Sequence, residues 1–379
     1  MTEFIPQANP GANYRAHQTE IDAALHTALD SGWYILGQQV QHFETEFAAF
    51  LGVPHVIGVA NGTDAIVLAL RAAGLQPGQL VYTVSHTAVA TVAAIELAGG
   101  IPVFVDIDPQ TYTMSTDHLD DLLSDPPLDA DPAILLPVHI YGHPADLHGL
   151  TALAEKHGLT LIEDCAQSHG ADYHGQRTGS FGRLATFSLY PTKNLGALGD
   201  GGAIATADPD LAATLSGLRQ YGWVSRRYIS DFPGFNSRLD ELQAAILRVK
   251  LAHLSTDNAR RQAIAAVYNT ALMNSSVQLP TVAQNCTHVY HQYVIRLPAH
   301  LNRDTFMADL KAQGIGTAIH YPVPVHQQPA YADRLAHITP LPHTEAAARQ
   351  IVSLPIYPEL PLPAAERVAE TIRHWLTTH

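Results

Sequence analysis

Between Val56 and about residue 205, short apolar runs alternate with segments of helical spacing. The runs at 56–60, 79–84, 102–106, 133–138, 159–163, 184–189 and 202–206 are predicted as strands. They lack polar alternation, which indicates burial on both faces, and intervening helices let strands run parallel. Ahead of this region, 18–30 and 38–51 are predicted as helices, the second from Val40, Phe43, Phe47 and Phe50. S-G-W-Y-I-L-G between them is a Gly-bounded turn.

Beyond residue 205 the order changes. Helices are expected at 209–220 and 239–254, then a longer one to about Met273, and at 303–312. Strands are expected at 289–297 and 316–321. The expectation is therefore an α/β domain, 1–250, with a mostly parallel seven-stranded sheet, and a smaller C-terminal α+β domain, 251–379.

Two of the predicted strands lead to reactive groups. The run at 159–163 delivers Asp164, and that at 184–189 enters a Pro/Gly-bounded turn presenting Lys193. The carboxyl edge of an open α/β sheet is where ligands bind. The chain has four lysines, of which Lys156, Lys250 and Lys311 lie in helical contexts that predict a solvated face. Lys193 alone sits in a turn beside aromatic and apolar residues, where desolvation would make it a nucleophile able to form a Schiff base. Asp164 suits a protonated pyridine nitrogen, the expected partner of a pyridoxal phosphate (PLP) lysine. Upstream, V-I-G-V-A-N-G-T-D-A puts Gly62 and Thr63 between a strand and an apolar helix, a site for a cofactor phosphate. The alternative there is that Asn61 and Thr63 only cap the helix.

Composition narrows the choice of partner. Charged residues are 15% of the 379 and the net charge is −14, which argues against nucleic acid or anionic membrane. The N-terminus has no secretory pattern and no apolar run reaches a membrane span, so a cytoplasmic location is expected. Cys165 and Cys286 lack metal or redox spacing and are expected reduced. The 22 histidines are scattered, and Gly142 and Pro144 break any helix that would align His139 with His143, so no metal site is expected. The irregular stretch 219–238 carries aromatics and Arg226, Arg227 and Arg238, suited to stacking on a base and forking onto a pyrophosphate.

With these blocks assembled, the chain resembles the DegT/DnrJ/EryC1/StrS group of PLP-dependent sugar aminotransferases, within fold-type I. The resemblance rests on N-G-T-D-A at 61–65, P-V-F-V-D-I-D at 102–108, V-H-I-Y-G-H-P-A-D at 138–146 and E-D-C-A-Q-S-H-G at 163–170. It continues through G-S-F-G at 179–182, S-L-Y-P-T-K-N-L-G at 188–196, N-S-R-L-D-E-L-Q-A-A-I-L-R at 236–248 and S-L-P-I-Y-P-E-L at 353–360.

The resemblance implies ping-pong transamination. Lys193 would hold PLP, L-glutamate would leave its amine on the cofactor as pyridoxamine phosphate, and a nucleotide-linked ketosugar would receive it. Asp164 would keep the ring nitrogen protonated and Gln167 would contact the phenolic oxygen. Gly62, Thr63 and Ser188, with Asn236 of the partner subunit, would bind the phosphate, which implies a homodimer with shared sites. His86 would stack on the ring, since the family's second aromatic position is Ala88 here. Tyr221, Arg227, Tyr228 and Arg238 would contact the nucleotide sugar. The Pro-rich loop 318–331, with His320, Tyr321 and His326, would close over it.

Y-G-W-x-x-R-Y-I-S and H-Y-P-x-P-x-H are similar to the branch acting on dTDP-linked 3-keto-6-deoxyhexoses, giving dTDP-3-amino-3,6-dideoxyhexoses. The alternatives are a 4-keto aminotransferase, a PLP-dependent sugar dehydratase and a non-catalytic PLP-binding regulator. The dehydratases carry His in place of the lysine, and Lys193 is intact.

Overall fold

The computed structural model describes residues 4–126, 128, 130–332, 334 and 340–379. In chain order the first nine strands are β1 (His55–Val59), β2 (Leu80–Val84), β3 (Ile101–Val105), β4 (Pro132–Leu135), β5 (Thr160–Asp164), β6 (Asp172–Tyr173), β7 (Gln176–Arg177), β8 (Leu184–Ser188) and β9 (Gly202–Thr206). Seven of them form one sheet in the order β1-β9-β8-β5-β4-β2-β3. β9 runs antiparallel to both its neighbours, β1 and β8, and the other pairs are parallel. The short β6 and β7 form a hairpin, which β10 (Cys286–Thr287) extends. β11 (Tyr293–Arg296) and β12 (Ile351–Leu354) pair antiparallel as a separate ribbon.

The helices are α1 (Pro10–Ala16), α2 (Gln18–Asp30), α3 (Gln38–Leu51), α4 (Gly62–Ala72), α5 (Val89–Ala98), α6 (Thr116–Ser124) and α7 (Leu147–His157). They continue as α8 (Pro209–Leu218), α9 (Glu241–Leu272), α10 (Arg303–Ala312), α11 (Pro342–Gln350) and α12 (Leu362–Thr378). One face of the sheet packs Ile57, Val59, Ile162 and Ile204 against α4, α5 and α8. The other packs Val56, Ala185, Phe187 and Ala203 against α3 and α9. Burial on both faces explains why these strands read as unbroken apolar runs.

The stretch predicted as two helices, 239–254 and a successor, is the single 32-residue α9. It passes straight through residue 250, the expected domain boundary. Ile5, near the N-terminus, belongs to the C-terminal core with Tyr268, Tyr293, Phe306 and Trp375. The strand expected at 316–321 is reduced to an isolated bridge between Ala318 and Ser353. Lys250 departs from its expectation too. It is buried on α9, and loss of hydration lowers its pKa to about 8, against the pull of Glu359 and Asp257. Among the described residues no helix is long and apolar enough to cross a membrane.

Two buried carboxylates hold the loops around the sheet's carboxyl edge. Glu163 on β5 accepts from the Gly179, Phe181 and Gly182 N–H groups at 2.8, 2.8 and 2.9 Å, and from His139 Nε2 at 3.1 Å. Glu241, at the start of α9, accepts from the Gly37, Gln39 and Val40 N–H groups at 2.8, 2.9 and 2.9 Å. It thereby satisfies the orphan donors at the N-terminus of α3.

Candidate active site

A cavity of about 630 Å³ opens at the carboxyl ends of β5 and β8, between the first turns of α4 and α5. Asp164 ends β5 and pairs in register with Thr186 on β8, which runs on through Ser188 to the turn carrying Lys193. That turn closes with the Lys193 N–H donating to the Tyr190 carbonyl at 2.8 Å. Strand alternation sends Glu163 into the loop nest and Asp164 into the cavity.

Asp164 is 3% exposed; its Oδ2 accepts from Thr91 Oγ1 at 3.0 Å and its Oδ1 from the Ala166 N–H at 3.1 Å. Burial raises its carboxyl's proton affinity, opposed by the Ala166 and Thr91 hydrogen bonds and by the Lys193 charge. Lys193 is half-buried. Desolvation lowers its pKa to about 8, against the attraction of Asp164. A buried acid and a readily deprotonated amine thus line one cavity.

The third part is the start of α4. Asn61 caps it, its side chain accepting from the Asp64 N–H at 2.8 Å, and Asp64 Oδ2 accepts from Ser237 Oγ at 2.7 Å. Gly62 is required by space: a Cβ there would lie 2.7 Å from Ser188 Cβ. The first-turn amides have no acceptor within the helix, so this end favours an anion. The residues present fit PLP: an acid for the ring nitrogen, an amine for the aldehyde and a helix start for the phosphate.

Of the residues singled out in the sequence, Gly62, Thr63, Asp164, Gln167, Ser188, Lys193, His320 and Tyr321 line this cavity. Asn236 and Arg238 instead line a neighbouring groove of about 520 Å³, which shares Asp200 with the cavity. Tyr221, Arg227 and Tyr228 are exposed and line neither, with Arg227 lying over the Tyr228 ring at 4.9 Å.

Two of the histidines singled out in the sequence do not line the cavity. His86 is buried, its Nε2 2.6 Å from Tyr141 Oη, and is not among the lining residues, whereas Ala88 is. His326 is also buried, its Nδ1 2.7 Å from Ser85 Oγ, and does not reach the cavity. His139 and His143 meet protein partners, His139 bonding Glu163 and His143 Nε2 accepting from the Ala283 N–H at 3.0 Å.

Sequence reasoning missed Thr91, His291 and Gln292, all of which line the cavity. Thr91 had a signal, as a hydroxyl opening the helix that follows a strand end. His291 and Gln292 precede β11 and come to the site only through tertiary packing.

Comparison with known proteins agrees with this geometry. The profile of the DegT/DnrJ/EryC1/StrS aminotransferase family matches residues 15–373. A dTDP-3-amino-3,4,6-trideoxy-alpha-D-glucose transaminase of Streptomyces venezuelae is 45% identical over 375 residues, covering 99% of this chain and 97% of that one. A UDP-N-acetyl-3-dehydro-alpha-D-glucosamine 3-aminotransferase of Acidithiobacillus ferrooxidans is 43% identical over 373 residues, covering 98% of each. The crystal structure of S. venezuelae DesV in complex with a ketimine intermediate superimposes with a TM-score of 0.93 at 44% identity, over 99% of both chains. With a fold-type I architecture, a site that fits PLP and a match along nearly its whole length, the chain belongs to the DegT/DnrJ/EryC1/StrS aminotransferase family.

Proposed function

We propose that this protein transfers an amino group from L-glutamate to carbon 3 of a dTDP-linked 3-keto-6-deoxyhexose, giving a dTDP-3-amino-3,6-dideoxyhexose. The observation that carries the reading is the convergence of Asp164 and Lys193 in one cavity beside the start of α4. When bound there, PLP supplies an aldehyde that carries the amine and a ring that takes up the electrons of the broken C–H bond. Asp164, held by Thr91 and Ala166, would keep a proton on the ring nitrogen. Gly62, Thr63 and Ser188 would hold the phosphate, and Gln167 would donate to the phenolic oxygen. Lys193 Nζ takes a proton from the carbon bearing the donor's amine and returns one to the sugar carbon that receives it. A pKa of about 8 leaves it enough free amine to act as base and enough ammonium to act as acid.

The choice of carbon 3 is supported by both relatives, whose names place the amine there. Those names differ in the nucleotide, and dTDP follows the more similar of the two. A homodimer is part of the proposal, with Asn236 and Arg238 of each chain completing the other's site. Supporting this, the groove that they line adjoins the cavity at Asp200, and Trp33, Tyr34 and Ile35 leave apolar surface exposed, Ile35 lining that groove. A solution mass of one chain would contradict it.

The test uses ¹⁵N-labelled L-glutamate with dTDP-3-keto-, dTDP-4-keto- and UDP-3-keto-sugars, followed by NMR of the products. Label at carbon 3 of the dTDP sugar is the expected result. Label at carbon 4, or on the UDP sugar alone, would overturn the assignment of substrate.

A further inference from the structure

We infer that Tyr141, oriented by His86, is a positioning residue that locks Gln167 and the His320–Tyr321 segment against the cavity from behind. This inference rests on the proposed roles of Lys193 and Gln167. Tyr141 itself is outside the cavity lining and 3% exposed. Its backbone has φ 60° and ψ 0°, a left-handed conformation that is unfavourable for a residue with a bulky side chain. That conformation lets one residue face both walls. The Tyr141 N–H donates to Gln167 Oε1 at 2.7 Å, while the Tyr141 hydroxyl donates to the His320 carbonyl.

The proton count then fixes the rest of the cluster. The hydroxyl has one hydrogen, committed to His320, so the 2.6 Å contact with His86 requires His86 Nε2 to be the donor. Burial keeps both groups neutral, lowering the His86 pKa to about 4 and raising that of the Tyr141 phenol. With its Oε1 occupied, Gln167 presents Nε2, which donates one hydrogen to Tyr321 Oη at 3.0 Å. The second Gln167 N–H and the Tyr321 hydroxyl proton remain for an oxygen acceptor in the cavity. The bonds close a ring, from Tyr141 N–H through Gln167 and Tyr321 to the His320 carbonyl and back to the Tyr141 hydroxyl. Cutting it at the hydroxyl frees the His320–Tyr321 segment and slackens the Gln167 amide.

A firmly held N–H donor at the phenolic oxygen favours its charged, unprotonated form, so a slackened donor raises the pH at which lysine-bound PLP loses its proton. A purely structural role would change stability and leave that value alone. The test is a pH titration of the visible absorbance of lysine-bound PLP in wild type, Tyr141→Phe, His86→Ala and His86→Gln, each checked by circular dichroism. His86→Gln keeps an N–H donor near the place of Nε2. Tyr141→Phe and His86→Ala should raise the midpoint by about one pH unit, with His86→Gln close to wild type. Folded variants with unshifted midpoints would overturn the inference, as would a His86→Gln midpoint no different from that of His86→Ala. Should Tyr141→Phe fail to fold, the two His86 variants decide alone. No lysine-bound band in wild type would remove the reading of Lys193 itself and this inference with it.

Discussion

Lys193 and Lys250 both have pKa values lowered to about 8 by burial, yet only one faces a cavity large enough for a cofactor. Lys250 lies in α9 among Glu359 and Asp257, where its charge is balanced within packed protein. The sequence distinguishes them through context, a turn against a helix, and Lys193 does line the cavity. It misjudges Lys250, because helical spacing does not say which neighbours will cover a face. His86 and Thr91 show the same limit: both flank the segment after β2, but which one turns toward Asp164 depends on a partner 73 residues away. The lowered pKa of Lys193 sets a pH dependence. Only its neutral amine can attack an aldehyde, so the rate of PLP uptake by the apoprotein should rise through pH 8 and level off above it. Stopped-flow absorbance measures this, and a rate still climbing steeply beyond pH 10 would contradict a desolvated lysine.

At the scale of elements, β5 is the strand that sets the site. Its successive residues Glu163 and Asp164 point oppositely, one organising the 179–182 loop and the other facing the cavity. The apolar runs made the sheet legible, and G-S-F-G was recognisable as a block, but its purpose as a set of donors to Glu163 appears only in three dimensions. Likewise, residues 316–321 looked like a strand, but pairing ends after the Ala318–Ser353 bridge and the chain passes into a Pro-rich loop. Burial works to raise the Glu163 pKa, but His139 and the loop amides outweigh it and hold the group below its ordinary value. Its stabilising contribution is therefore present above the unfolded carboxyl pKa and is lost as pH falls toward the folded one. Glu163→Gln should lower stability near neutrality by about 3 kcal/mol and flatten the acid limb of the thermal midpoint against pH. A variant whose midpoint tracks wild type throughout would contradict that role.

The molecule as a whole joins two cores through α9, with its N-terminal residues returning to the C-terminal core at Ile5. The α/β class was readable because its apolar runs alternate with helices, and two of them, β5 and β8, are neighbours that lead to Asp164 and to the turn of Lys193. At 250, where the composition shifts, the backbone has no break, since α9 runs through and contributes residues to both cores. The net charge of −14 opposes an anionic substrate at long range, so the proposed substrate would have to be held by local groups, a role proposed for Arg238 of the adjoining groove. The proposed function requires Lys193 and Asp164 together to run an amine transfer through PLP. Its most direct test is the absorbance spectrum of the holoenzyme before and after L-glutamate, and again after the dTDP-3-keto sugar, for wild type and Lys193→Ala. The wild-type band should vanish with glutamate and return with the sugar, while Lys193→Ala completes neither change at a measurable rate. A full cycle in Lys193→Ala, or a wild-type band indifferent to glutamate, would contradict the claim.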